Sequence, residues 1–450
     1  MVRDALGHHR AGRLSEAERI YRQALAIQPD NADCLHLLGM VAFQSGKHAE
    51  AAELIHKAIL IHRTAASYHS NLGNVLQAQG RLDEAEACYR KALDLKPEQA
   101  EVYLNLGHIL KAQGNVDSAL ACYRQSLSLK PELAEARVAE STALLLKGDF
   151  AGWKQFESRW NTQDYDTPPR AYPQPLWHGE RLSGRLLIWG EQGVGDEIMF
   201  AGLVPDVVRA GGLCVLDCDP RLKPLFARSF PGVEVISGYD PARDTELDIA
   251  AHLPSGSLPG LFRTSAESFA CTTSPYLVAD AMKRERFRSS YDDGRPLVGL
   301  AWYTRNRRSG PSRSIDLKLF ANLFSIPNLR WVSLQYGNHD LLRGEADAAG
   351  APLYIEPEVD QFSDIDSFAA QVSAMDLVIT IDNSTAHLAA ALGVPTWLLL
   401  PFAPDWRWLL AGDSSPWYPP MRLFRQPTTE DWQSVLQRVQ RALATAFNRP

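Results

Sequence analysis

A period of about 34 residues runs through the first third of this chain and limits what it can fold into. Glycines fall at Gly12, Gly46, Gly80, Gly114 and Gly148, at one constant step. Ala17, Ala51, Ala85 and Ala119 keep the same step, as do Tyr21, Ile55, Tyr89 and Tyr123. Leu38-Gly39, Leu72-Gly73 and Leu106-Gly107 form a third series, and Pro29, Pro97 and Pro131 close three of the units. A fixed period of this length means a stacked array of one small helical unit, which cannot bury its apolar face alone. Gly and Ala let paired helices approach, the aromatic fills the gap between them, and Pro stops the second helix.

A helix–turn–helix of this period, with Leu-Gly in its first helix, a small Ala in its second and a closing Pro, resembles the tetratricopeptide repeat (TPR). The resemblance implies an all-α superhelix over residues 1–160, about four and a half units, whose concave face takes a protein or peptide. A rigid spacer or a dimer contact is the plainer use of that face. The first unit is expected to be truncated, its first helix beginning before Met1. The fifth departs further: Ser141 stands at the Leu-Gly register and Trp153 where the small Ala should be. A terminal repeat packed on another domain changes in this way, because its outer face no longer meets another repeat. The array is therefore expected to dock on the domain C-terminal to it.

Composition sets outer limits. Hydrophobic residues make up 45% and charged residues 22% of the 450, the mix of an ordinary globular protein. No stretch approaches the roughly 18 apolar residues of a membrane span, and the polar, helix-patterned opening is unlike a signal or transit peptide. A cytoplasmic protein is expected. Residues 1–160 carry 19 basic and 19 acidic side chains, so the net charge of −7 lies in residues 161–450. That balance speaks against a nucleic-acid partner, which calls for a basic face. The six cysteines show neither a CxxC pair nor zinc spacing, and small buried thiols are expected.

The remaining residues change character. Residues 161–177 (NTQDYDTPPRAYPQPLW) are Pro-rich and aperiodic, a linker. Strand patterns come next at 186–190, 214–218 and 233–236, then, past a polar connector at 281–294, at 297–302, 330–335, 353–355, 377–382 and 396–401. Each is separated by room for a helix, and residues 430–446 read as a closing amphipathic helix. Short apolar strands with helices between them predict parallel sheets. Two such runs predict two Rossmann-like lobes facing across a cleft, residues 178–290 and 291–450. In such sheets ligands bind at the carboxyl ends of the strands.

The segment Asp376–Phe402 carries the strongest local signal. A buried strand ends at Asp382, Asn383 or Ser384 caps a helix, and Gly393 with Pro395 ends it. Strand, small polar turn and helix start offer free N–H groups and a positive dipole end, which suit a phosphate. The string D-x-x-x-x-H-L-A-A-A-L-G-x-P resembles the C-terminal lobe of the heptosyltransferase family. The resemblance implies that Asp382, Asn383, Ser384, Thr385 and His387 hold a sugar-nucleotide diphosphate; His387 as a satisfied structural histidine is the alternative. That family also places basic residues after the first strand of this lobe, and here 301–314 supplies Arg305, Arg307, Arg308 and Arg313. Departure of a nucleoside diphosphate develops negative charge, and with no metal-ligand carboxylate cluster in the sequence, arginine forks are the expected stabilisers. Arg313 is the first choice among them, although the family usually has Lys there; a solvated charged loop is the alternative. Gln335, at another strand end, is placed to contact base or ribose.

In the first lobe Gly190, Gly193 and Gly195 make G-x-x-G-x-G, which is not dinucleotide spacing. The heptosyltransferases have a similar turn ending in Gly-Asp, whose aspartate is the proposed base, and Asp196 matches it. An inverting transfer needs one carboxylate to take the acceptor proton; a helix cap is the competing role. The aromatic segment 402–424, with Trp406, Trp408, Trp417 and Tyr418, is expected to pack between the lobes rather than stack on a ligand. TPR joined to two lobes of this kind (GT-B type) also resembles the architecture of O-GlcNAc transferase. The resemblances imply a glycosyltransferase using a nucleotide-sugar as substrate, without metal or other cofactor. A TPR adaptor that lost its chemistry, or a sugar-nucleotide epimerase with an extra carboxylate or two in the cleft, is the alternative.

Overall fold

The computed structural model describes residues 1–163, 165, 167–242, 244–272, 274–306 and 310–447. The chain forms two compact units, Met1–Leu144 and Leu145–Pro450. The first is an all-helical TPR superhelix. Its helices are α1 (Val2–Arg10), α2 (Leu14–Ile27), α3 (Ala32–Gln44), α4 (His48–Ile61), α5 (Ala66–Ala78), α6 (Leu82–Leu95), α7 (Ala100–Ala112), α8 (Val116–Leu129) and α9 (Ala134–Leu146), which crosses the division. The first helix of the first unit is thus present as the nine residues of α1, against thirteen in α3, α5 and α7.

The two glycine series do different work. Gly12, Gly46, Gly80, Gly114 and Gly148 all have φ between +73° and +81°. They sit in the turn between the paired helices, where a side chain would be strained. Gly39, Gly73 and Gly107 instead sit where helices touch. A Cβ there would lie 2.6 Å from Ile55, 2.6 Å from the Tyr89 ring and 2.4 Å from the Tyr123 ring. Ile55, Tyr89 and Tyr123 are fully buried in consequence, as is Tyr21 in the first unit.

The array's compact unit ends at Leu144 rather than at 160. Residues after Gly148 do not make a second repeat helix. They form 3-10 turns at Phe150–Gly152 and Glu157–Asn161 around a single helical turn, Trp153–Phe156. Trp153 explains why. It is 4% exposed, set edge-on to Phe156, Trp406 and Trp417, with its Nε1 donating to the Arg263 carbonyl at 3.0 Å. It belongs to the core of the second unit, and a small Ala would leave that core empty.

The second unit holds two parallel sheets. The first comprises β1 (Arg185–Trp189), β2 (Cys214–Asp217), β3 (Glu234–Ile236) and β4 (Ile249–Pro254), in the order β3-β2-β1-β4. The second comprises β5 (Leu297–Ala301), β6 (Arg330–Ser333), β7 (Leu353–Tyr354), β8 (Leu377–Ile381), β9 (Thr396–Leu400) and β10 (Met421–Arg425), in the order β10-β9-β8-β5-β6-β7. All pairs are parallel. Two strands lie outside the sequence expectation: β4, which carries His252, and β10, an edge strand whose apolar residues are interrupted by Arg422 and Arg425. The segment 281–294 is also more than a connector; Ala281–Tyr291 is a helix, capped by the Asp280 carboxylate on Lys283 N–H and seated through buried Phe287 and Tyr291. The closing helix runs Trp432–Phe447. The thiols divide: Cys34, Cys214 and Cys218 are buried, Cys88 and Cys122 half-buried, and Cys271 is exposed, contrary to the uniform burial expected. Among the described residues no helix is long and apolar enough to cross a membrane.

Candidate functional site

In the second sheet the chain leaves β5 toward β6 and β7, then returns to the other side of β5 as β8. The carboxyl ends of β5 and β8 therefore flank the point where strand order reverses, the place such sheets bind ligands. The segment after β5 carries Arg313, in the short helix Gly310–Arg313, and β8 runs directly into Asp382. Arg313 Nη1 lies 3.0 Å from Asp382 Oδ2, and its Nη2 lies 3.4 Å from Asp405 Oδ2. Asp405 Oδ1 accepts from Arg407 Nη1 at 2.6 Å and from the Arg407 backbone N–H at 3.2 Å. Arg407 Nη2 in turn pairs with Asp196 Oδ1 of the first lobe. Asp382, Arg313, Asp405, Arg407 and Asp196 thus form one alternating chain of charge.

Burial and charge act on its members in opposite directions. Burial pushes the Asp405 carboxyl up, but Arg407 and Arg313 outweigh it and hold the group at about 2. Asp382 is 4% exposed, and burial raises its carboxyl above the usual range despite Arg313. Burial lowers the Arg407 guanidinium, yet Asp196 and Asp405 raise it further, so it stays charged. Among the described residues no group of three or more His, Cys, Asp or Glu side chains is arranged to hold a metal.

The turn after β8 is partly satisfied. Asn383 is the N-cap of the helix Ser384–Ala391, its Oδ1 accepting from Ala386 N–H at 3.2 Å and from the Thr380 hydroxyl at 3.0 Å. Its Nδ2 and the Thr385 hydroxyl are buried without a hydrogen-bond partner, a condition that costs about 1–3 kcal/mol per group unless a ligand or water serves it. His387 stacks on Trp408 at 5.0 Å, and its Nδ1 lies 2.9 Å from the Tyr418 hydroxyl. Burial, and then Arg407, pulls the imidazole down to about 3, so it is neutral.

The glycine turn brings the lobes together. A Cβ on Gly195 would lie 3.2 Å from His387 and 3.4 Å from the Ser384 Cα. Gly193 caps the helix Val194–Ala201, and the Asp196 carboxylate reaches back to its N–H at 3.3 Å. Asp196 is therefore a cap of its helix and an ion-pair partner at once. Gln335 does not face a cleft. It is fully buried, its Oε1 accepting from Trp302 and Tyr303 N–H and its Nε2 donating to the Tyr303 and Tyr336 carbonyls. Its amide fastens the loop after β5 instead of contacting a base or ribose. Arg305 lies over the ring of Tyr336 at 5.6 Å, outside the chain of charge. Arg307 and Arg308 lie outside the described residues.

Asp405 and Arg407 are members of the chain of charge that the sequence does not single out. Their only signal is an Asp-x-Arg inside PDWRW, hidden among aromatic rings. Those rings pack: Trp406, Trp408, Trp417 and Tyr418 are all buried, Trp417 lying edge-on to Phe200 and Phe269 of the first lobe. Equally silent in the sequence is a cavity of about 870 Å³ in the second unit, beside Trp189 at the end of β1 and His252 in β4. Phe150, Trp160, Tyr172 and Trp177 line it as well. The expected linker forms one wall, held to β4 by Trp177 N–H on the His252 carbonyl and His252 N–H on the Pro175 carbonyl, each at 3.0 Å.

The first part of the chain is an array of tetratricopeptide repeats, which continues into an α/β region with two parallel sheets. Two family descriptions, both "Tetratricopeptide repeat", match residues 8–73 and 63–132. Protein FlbA of Caulobacter vibrioides is 32% identical over 326 residues, 68% of this chain and 54% of FlbA. The chain spans about half the length of this curated relative, and the matched share is too long to lie within the array alone. Among solved structures MamA is 24% identical, covering 34% of this chain and 91% of that one with a TM-score of 0.33. PilF of Pseudomonas aeruginosa is 24% identical over 35% of this chain and 71% of that one, at a TM-score of 0.33. YrrB, described as a TPR protein with an unusual peptide-binding site, is 20% identical over 35% and 80%, at 0.31.

Proposed function

We propose that this protein is an inverting, metal-independent glycosyltransferase of GT-B type. It moves a sugar from a nucleotide-sugar to a protein or other large acceptor presented by the concave face of the TPR array. One observation carries the reading: Asp196 from the first lobe and Arg313 with Asp382 from the second, singled out separately in the sequence, meet in a single, largely half-buried chain of charge at a strand-order reversal. In this reading Asp196 exchanges Arg407 for the acceptor hydroxyl and takes its proton as the anomeric carbon is attacked from the opposite face. The carbon–oxygen bond to the nucleoside diphosphate breaks, and the Arg313 guanidinium balances the charge left on the departing phosphate. The unpartnered Asn383 amide and Thr385 hydroxyl supply further donors at the helix start.

One feature favours a second reading. The carboxylates and guanidinia are paired with one another, as they would be in a lock between lobes of a non-catalytic adaptor. An epimerase is less well served, because the extra carboxylate it needs would be Asp405, which two arginines keep a weak base. The test uses UDP, GDP, ADP, CDP and TDP and their sugars. Wild type should bind one nucleoside diphosphate without metal and turn over the matching sugar. Asp196→Asn should keep that affinity while turnover falls by about 10²–10⁴. No binding and no turnover in wild type leaves the adaptor; solvent deuterium entering the sugar favours the epimerase.

A further inference from the structure

The chain of charge is unbalanced. Among the described residues it holds three carboxylates, Asp196, Asp382 and Asp405, and two guanidinia, Arg313 and Arg407. His387, in the helix after β8, is neutral and adds no cation. Carboxylates crowded together without matching cations compete for ionisation, and the most buried of them is the one that takes a proton.

Geometry selects which. Asp405 receives two hydrogen bonds from Arg407. Asp196 receives one from Gly193 N–H and one from Arg407. Asp382 Oδ2 lies 3.0 Å from Arg313 Nη1 as an ion pair but receives no hydrogen bond of good geometry. It is also the least exposed of the three. Arg313 faces it from the helix after β5, Asp405, Arg407 and the Trp408 indole from the segment after β9, and His387 with its partner Tyr418 stands behind.

We propose that a nucleotide-sugar's diphosphate is held between Arg313 and Arg407, with Asp382 carrying a proton that it donates as a hydrogen bond to a phosphate oxygen. This rests on the nucleotide reading above and adds two residues to it: Arg407 as the second guanidinium, and Asp382 as a neutral donor instead of an anion. An unprotonated cluster has a net negative charge and repels a diphosphate. With one proton it is neutral, and both arginine forks can turn from carboxylate to phosphate oxygens, an exchange of like for like. Asp405 is left as the anion that keeps Arg407 in place.

The experiment takes whichever of UDP, GDP, ADP, CDP or TDP binds wild type. Infrared difference spectra of the complex at pH 7 should show the carbonyl band of a protonated carboxyl. The band should move on labelling with ¹³C-aspartate and vanish in Asp382→Asn. Because Asn has the shape of a protonated Asp and keeps a donor, that variant should bind within about threefold of wild type. Arg407→Gln should bind about 10- to 100-fold more weakly, the worth of a hydrogen bond to a charged group. A wild-type complex without the band overturns the proposal, as does an Asp382→Asn protein that melts normally yet loses tenfold or more in affinity. If that variant does not fold, the labelled wild-type band decides. If none of the five binds wild type, the nucleotide reading falls and takes this inference with it.

Discussion

Replacing Trp153 by Ala removes the residue that turns the fifth repeat into a part of the α/β core. Its ring centroid lies 5.2 Å from Trp406, 5.5 Å from Phe156 and 6.2 Å from Trp417, all edge-on. Truncating a buried Trp costs about 3–5 kcal/mol. The lost Nε1 hydrogen bond also strands the Arg263 carbonyl, which places the effect toward the upper end of that range. Trp153→Phe keeps a ring and loses only the hydrogen bond and part of the packing, for about 1–3 kcal/mol. Against a total stability of about 5–15 kcal/mol, the Ala variant loses a large share. The assay is built into the sequence. All eleven tryptophans lie at or after residue 153, so tryptophan fluorescence during urea unfolding reports the second unit alone. A Trp153→Ala protein whose fluorescence transition gives a stability within about 1 kcal/mol of wild type would refute the packing argument.

Gly107→Ala puts a Cβ against the Tyr123 ring at 2.4 Å; overpacking of about 1–3 kcal/mol, eased by up to about 1 from better helix propensity, should lower the array's stability. Circular dichroism should register that loss while the tryptophan transition stays in place, and an array stabilised by the change would sink the explanation. Glu197 is raised to about 7, first by burial, although Asp219 N–H donates to it at 2.9 Å. An acid raised on folding holds its proton longer than in the unfolded chain, so its stability is present below about 4.5 and is lost as pH climbs from there to about 7. Stability of the second unit measured by fluorescence should therefore fall over that window by up to about 3 kcal/mol, and Glu197→Gln should flatten the slope; an unchanged slope in the variant would assign it elsewhere.

The array is legible because its rules are local. A constant repeat spacing, a turn glycine with positive φ and a contact glycine under a tyrosine each depend on neighbours within one or two repeats, so the pattern survives being read as a string. Most strands of the α/β unit are legible for a related reason: short apolar runs buried on both faces have few other uses. β4 and β10 are lost where that rule weakens, at a strand carrying His252 and at an edge strand carrying arginines.

The sequence by itself determined the TPR array and the parallel-sheet class, and it singled out the turn at 382–387 at a strand end. Only the tertiary structure decided what the candidate residues touch. Gln335 has the composition of a ligand contact but is consumed by the backbone of Trp302 and Tyr303, far back in the chain on another strand's exit. Asp196 has the position of a base or a cap and is found capping its helix while also paired with Arg407, 211 residues distant. Trp153 breaks the repeat because its partners come from Gly260, Trp406 and Trp417. Hydrophobic period and turn chemistry are properties of adjacent residues, whereas the matching of buried charges and the filling of a core are set by whatever the fold brings into contact, and no spacing in the chain encodes that.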